Sequence, residues 1–165
     1  MGVPQHILGM QASTDPTKLN TTDAAPAEAA LAALLADGGA VVHLLRAAFP
    51  QTLAIYAFGS RVNGTAQADS DLDLAVLVSG YADPVRLWDI ASQLADLVGC
   101  SVDLLDFRAA STVMQHQVLQ QGRLLWATQP AAGLFECFVL SEKLDFDARR
   151  GGLLVDIANR GSIYG

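Results

Sequence analysis

Two short apolar runs, Leu53 to Phe58 and Leu72 to Val78, dominate the hydrophobic pattern of the chain. Both are too short for a typical helix and are bounded by turn residues, so they read as strands, the second taken from Asp71 to Val78. The second is apolar at consecutive positions after Asp73, which predicts burial on both faces and a central place in a sheet. Ser101 to Phe107 reads as a third strand, and Arg123 to Ala127, after Gly122, as a short edge strand. Helical spacing fills the intervals. One helix runs from Pro26 to about Ala36 and is ended by Asp37-Gly38-Gly39. Val41, Leu44, Leu45, Ala48 and Phe49 repeat at i, i+3, i+4 until Pro50 stops them. Asp83-Pro84 opens a helix whose apolar side is expected to be Trp88, Ala91, Leu94, Ala95 and Val98, with Gly99 as its end. Ser111 caps another through Val113, Met114, Val118 and Leu119. Residues 133–160 read as helical, weakened or kinked at Gly151-Gly152. Strands alternating with helices predict an α/β or α+β domain of three to five strands.

Length and charge narrow this picture. At 165 residues the chain is most simply one domain. Residues 1–25 are polar and Pro-punctuated and are expected to form a flexible tail. Residues 26–130 carry the strands, and 131–165 form a helical extension packing on the domain or on a partner. Although 52% of residues are apolar, no run approaches the ~20 residues of a membrane span. The first 25 residues lack a basic region followed by an apolar core, so a cytoplasmic protein is expected. Cys100 and Cys137 form no ligand pattern and read as free, buried thiols, and His6, His43 and His116 are scattered. A net charge of −7 argues against a broad nucleic-acid surface. It permits nucleotide binding, where divalent cations supply the positive charge, and docking on a basic partner.

The candidate chemistry lies between the first two strands. Gly59-Ser60 is followed by ten residues and then Asp71-Leu72-Asp73. Two acids separated by one residue share a strand face, their Cα atoms about 6.5–7 Å apart. They can therefore converge on shared cations. A lone Asp-x-Asp is common in turns, but here it opens a hydrophobic strand, where acids are costly unless paired or metal-bound. A third carboxylate is expected from a neighbouring strand. Asp103 and Asp106 are three apart, so only one can join; Asp103, nearer its strand's start, is favoured, leaving Asp106 to cap the strand end or the next turn. Gly59 lets the backbone approach phosphate, and Ser60 offers a hydroxyl at a helix start. Arg61 is placed either to contact a triphosphate or to be solvated. Asp69-Ser70 reads as turn chemistry, and Trp88 and Trp126 as core residues.

With Gly59-Ser60-Arg61, Asp71-Leu72-Asp73 and Val102-Asp103-Leu104-Leu105-Asp106 in hand, the chain resembles the DNA polymerase beta-like nucleotidyltransferase superfamily. The likeness is closest to its minimal branch, the MNT-domain antitoxins paired with HEPN-domain toxins. Gln120-Gln121-Gly122-Arg123-Leu124-Leu125-Trp126 and the tail from Asp145 also resemble this branch, and Asn63 departs from it. The resemblance implies a small mixed sheet flanked by helices. It also implies transfer of AMP from ATP to a tyrosine of a HEPN ribonuclease, with which the chain would form a hetero-oligomer. Two Mg2+ ions would be held by Asp71, Asp73 and Asp103, with Asp103 helping to deprotonate the acceptor, and the triphosphate by Gly59, Ser60 and Arg61. A small-molecule nucleotidyltransferase and a non-catalytic steric antitoxin are the competing readings.

Overall fold

A computed structural model of the chain describes residues 24–67 and 69–161, with side chains described from residue 28 to 150 apart from 68. In chain order the elements are α1 (Ala24–Leu34), α2 (Ala40–Ala48), β1 (Thr52–Phe58), α3 (Ser60–Asn63) and β2 (Leu72–Val78). They continue with α4 (Pro84–Val98), β3 (Val102–Asp106), α5 (Thr112–Gln121), β4 (Arg123–Ala127) and α6 (Ala131–Gly161). Four strands make one sheet in the order β3-β2-β1-β4. β2 and β3 are parallel, while β1 is antiparallel to both β2 and β4. This is the expected mixed sheet, with β4 at an edge. Most of the expected N-terminal tail lies outside the described residues; Ala24 and Ala25 already belong to α1.

The two central strands are buried on both faces because helices cover both. On one face Ile55, Ala57, Leu72, Leu74 and Val76 pack with Val41, Leu45, Ile90 and Leu94 of α2 and α4. On the other, Tyr56, Phe58, Ala75 and Leu77 pack with Phe107, Val118, Phe135 and Val139. Each fully buried aliphatic side chain contributes about 1.5–3 kcal/mol of transfer free energy. The α6 helix is also latched by a polar contact, Tyr56 Oη donating to Glu136 Oε1 at 2.5 Å. Burial, then the hydrogen bond and charge of Glu136, push the Tyr56 phenol above its ordinary range.

Local signals behave as their chemistry dictates. Asp83 Oδ1 accepts from Arg86 N at 2.8 Å, Pro84 occupies the first turn and Gly99 ends α4 in the left-handed region at φ +74°. Ser111 caps α5 by accepting from Met114 N at 3.3 Å. The α6 helix continues through Gly151 and Gly152, so these glycines do not end it. No helix among the described residues is long and apolar enough to cross a membrane.

Three expectations fail. Trp88 is 71% exposed, because the inward stripe of α4 is Leu87, Ile90, Ala91, Leu94 and Val98; the tryptophan stands one residue round the helix from it. Val113 is likewise exposed. Gln115 turns inward in α5, donating to the Phe107 and Arg108 carbonyls at 3.0 and 3.2 Å. Cys100 and Cys137 are both free, but Cys100 is half-buried and Cys137 exposed, not buried. Trp126 is half-buried against the core, with the Arg46 guanidinium 4.2 Å from its ring centre.

Asp106 is the polar pin of the end of the sheet where β2 and β3 finish. It is 7% exposed and accepts from Ala82 N at 2.8 Å, Arg108 N at 2.9 Å and Ala109 N at 3.4 Å. It therefore ties the β2–α4 loop to the turn after β3, the capping role expected of it. Asp106→Ala strands part-buried N–H groups and is expected to cost about 2 kcal/mol. Urea denaturation checks this; an unchanged midpoint would mean that the carboxylate does not hold the turn.

Candidate active site

At the opposite end of the sheet, β1 finishes at Phe58, directly across from Asp73 of β2. The chain must turn immediately, and Gly59 does so with φ +77°. A Cβ at this position would run into the Asp73 carboxylate, only 2.8 Å from Cγ. Glycine is thus demanded both by the backbone and by the acid beside it. Ser60 then opens α3, a single turn closed by Val62 N and Asn63 N on the Gly59 carbonyl at 3.2 and 3.1 Å. Gly64 ends it at φ +71°. The leading amides of such a turn lack partners within the helix and favour an anion.

The loop back to the acids is held at both ends. Arg61 Nε donates to the Ser70 carbonyl at 2.7 Å. Ser70 Oγ accepts from Gln67 N at 2.8 Å, and Ser70 N donates to the Gln67 carbonyl at 3.1 Å. Ser70 is therefore a turn residue, as expected. Leu72 N donates to the Ser101 carbonyl at 2.8 Å, which joins the starts of β2 and β3. Arg61 also lines a cavity of about 280 Å³ with Glu28, Leu31, Leu35 and Arg123. That cavity lies under α1, on the sheet face away from the acids. Arg61 thus ties the Gly-Ser turn to the strand that carries Asp71 and Asp73.

The third acid comes from β3. Asp103 is the register partner of Asp73 in the parallel β2–β3 pair, so the two are immediate neighbours across the ladder. Both alternate with residues of the α2–α4 core (Leu72 and Leu74; Leu104) and so project on the other face, together with Asp71. Asp71 and Asp103 are exposed and Asp73 is half-buried. Burial first, then the negative charges of Asp103 and Asp71, hold the Asp73 carboxyl above the usual carboxylate range. Asp106, three residues on, is absorbed by the backbone contacts described above.

These are hard oxygen donors crowded by like charge, which fits a divalent cation such as Mg2+. Among the described residues no three His, Cys, Asp or Glu side chains already converge on one point. The acids adjoin one another without forming a closed cage. Sequence reasoning anticipated that Asp103 would lie beside Asp73 and that Ser60 would open a helical turn. It did not anticipate that Gly59 and Asp73 are mutually constrained, which no spacing rule encodes.

Known proteins resemble this chain in sequence and fold. The sequence profile of the polymerase beta nucleotidyltransferase domain matches residues 43–131. The protein adenylyltransferase MntA of Shewanella oneidensis is 38% identical over 117 residues, which cover 71% of this chain and 84% of that protein. A solved toxin–antitoxin structure with AMP-PNP aligns with TM-score 0.64 at 38% identity, covering 71% of this chain and 94% of the other. A structure of tri-AMPylated Shewanella oneidensis HEPN toxin in complex with MNT antitoxin aligns with TM-score 0.59 at 36% identity, covering 72% and 92%. With the Gly-Ser turn and the adjoining acids in place, the chain belongs to the polymerase beta nucleotidyltransferase family, as a relative of the MntA antitoxins.

Proposed function

We propose that this chain is an antitoxin that transfers AMP from ATP to a tyrosine hydroxyl of a partner HEPN toxin and so neutralises it. The observation that carries the reading is the placement of Asp73 beside Asp103, with Asp71 two residues before it, against the Gly59-Ser60 turn. The likeness to MntA and to its toxin complexes supports the choice of nucleotide and acceptor. The net charge of −7 suits a basic partner, with which the chain would form a hetero-oligomer.

Asp71, Asp73 and Asp103 would hold two Mg2+ ions, which when bound neutralise the charge building up on the transferred phosphoryl group and on its leaving oxygens. Gly59 lets the main chain lie against the triphosphate, and Ser60 contributes its hydroxyl and amide. Arg61 serves the nucleotide site by fixing the loop that joins the turn to the acids. Asp103, at the outer strand and exposed, faces the arriving acceptor and helps remove its proton. The acceptor oxygen then bonds to the α-phosphorus as the bond to the β-phosphate oxygen breaks and pyrophosphate leaves. Most of the rate comes from positioning and charge, as in phosphoryl transfer generally.

Incubation with the HEPN partner, Mg2+ and α-labelled ATP is expected to label the partner. Asp71→Asn/Asp73→Asn is expected to reduce labelling about a thousandfold or more, since the ion site supplies several kcal/mol of transition-state stabilisation. Neutralisation that survives both substitutions and the omission of ATP would establish steric blocking instead. Turnover on aminoglycosides with an unlabelled partner would establish a small-molecule enzyme.

The crowding of the acids gives a second expectation. Asp103→Asn removes a like charge and should lower the Asp73 pKa, and Mg2+ should lower it in the native chain by displacing the proton. Carboxyl-carbon NMR titration reads both shifts; a titration indifferent to both would remove Asp73 from the ion site. Because the folded-state pKa is raised, Asp73 favours the folded chain at low pH. That contribution is lost as pH rises through the folded pKa.

A further inference from the structure

The strand order puts β3 and β4 at the two edges of the sheet, and of these β3 carries one of the three acids. Two hydrogen bonds fix the phase of its main chain. Leu72 N donates to the Ser101 carbonyl at 2.8 Å, and Phe107 N to the Val76 carbonyl at 2.9 Å. Main-chain groups alternate sides along a strand, and in this parallel pair Leu72 lies beside Val102 and Val76 beside Asp106. The N–H and C=O groups of Asp103 and Leu105 therefore turn toward β2, and those of Val102 and Leu104 turn outward. Among the described residues no main-chain hydrogen bond outside the β2–β3 ladder uses Val102 or Leu104. Such a row of open donors and acceptors is a template for another strand.

A groove of about 660 Å³ adjoins the same edge. Leu105 and Asp106 of β3 line it together with Pro84 and Leu87 of α4 and with Ala109 and Met114 beyond the strand. Leu87 packs with the core on one sheet face, and Leu105 and Met114 with the core on the other. A groove lined from both faces passes round the rim of the sheet, here the outer side of β3. Apolar side chains dominate it, and the Asp106 carboxylate is already engaged by three N–H groups. Tyr81 also lines the groove and is exposed. Trp88, one helical turn on from Pro84, is exposed next to it. Leu105 is two residues from Asp103, about 7 Å along the strand.

Resting on the adenylyltransferase reading, we propose that the outer edge of β3 is the acceptor platform. The toxin segment that carries the acceptor tyrosine adds to it as a further extended strand, with the tyrosine beside Asp103 and apolar residues two or three places away in the groove. The reaction itself selects this occupant. The acceptor hydroxyl must come to the acids, and Asp103 is the one that stands on an edge strand. A segment that reaches it in the plane of the sheet meets the open groups of Val102 and Leu104. In an antiparallel addition Asp103 falls at a non-hydrogen-bonded position, because its own N–H and C=O face β2. Side chains of such a pair approach most closely, their Cα atoms about 4.5 Å apart. Main-chain pairing supplies affinity, and the groove selects the side chains that flank the tyrosine.

Amide hydrogen exchange of the full-length chain, read by NMR with Mg2+ and AMP-PNP in the presence and absence of the HEPN toxin, tests the assignment. In the chain alone, Asp103 and Leu105 should be protected while Val102 and Leu104 exchange faster. The toxin should slow Val102 and Leu104 about tenfold or more. Ala109→Arg puts a charge into the groove from an exposed position. It should raise the KM for toxin labelling about tenfold and leave AMP-PNP affinity and the thermal midpoint in place. Should the native chain label the toxin while Leu104 gains no protection, or Ala109→Arg label it with an unchanged KM, the docking assignment falls and the enzyme reading stands. Protection of Val102 and Leu104 in the chain alone, growing with its concentration, would make the occupant a second copy and overturn the assignment. A native chain that labels no toxin overturns both.

Discussion

Asp73 and Gly59 occupy each other's space. The acid opens a buried strand, and the only backbone that can pass its carboxylate at the end of β1 is one without a Cβ. Everything else in the site follows from that packing. The antiparallel register sets Asp73 opposite Phe58, so the turn must come at the next residue. The parallel register sets Asp103 beside it from the other side. Asp73 is therefore compressed between a phosphate-type turn and a second acid, and its carboxyl is held above its ordinary range first by burial and then by its neighbours' charge. An arrangement that costs the folded chain in this way is stabilised by a ligand that brings positive charge.

The rest of the fold keeps that packing in place. Helices on both faces bury the central strands and fix their register, since a slip of one residue would turn the acids into the α2–α4 core. The two ends of the sheet use carboxylates in opposite ways. Asp106 accepts three main-chain N–H groups and is spent on structure. Asp103, on the same strand, is exposed beside Asp73. Between them the Tyr56–Glu136 contact seats α6 on the sheet.

Much of this was legible in the residues. The strands announced themselves as short apolar runs, the helix ends by Asp83-Pro84, Ser111 and Gly99, and the acids by their place at the head of a buried strand. That only one of Asp103 and Asp106 could join followed from period-two alternation, and Asp103 was favoured by its place nearer the strand start. What could not be read depends on tertiary packing. Trp88 fits a helical stripe as well as Leu87 does, and only the angle at which α4 meets the sheet decides which turns inward. Gln115 looks solvent-facing until the Phe107 and Arg108 carbonyls beneath it are known. Arg61 read as contacting a triphosphate or solvated, and the Ser70 carbonyl that its Nε holds, nine residues on, is a partner no local pattern announces. The Tyr56–Glu136 pair spans eighty residues of sequence, and no local pattern announces it.

The central claim is that Asp71, Asp73 and Asp103 form one cation site against the Gly59-Ser60 turn. Titration of the isotopically labelled chain with Mn2+ in the presence of AMP-PNP tests it most directly, because paramagnetic broadening falls steeply with distance from the ion. The account predicts that amide signals of Gly59, Ser60, Asp71, Asp73 and Asp103 vanish first while those around Asp106 persist. Broadening centred on Asp106, or spread evenly over the acidic surface, would contradict it.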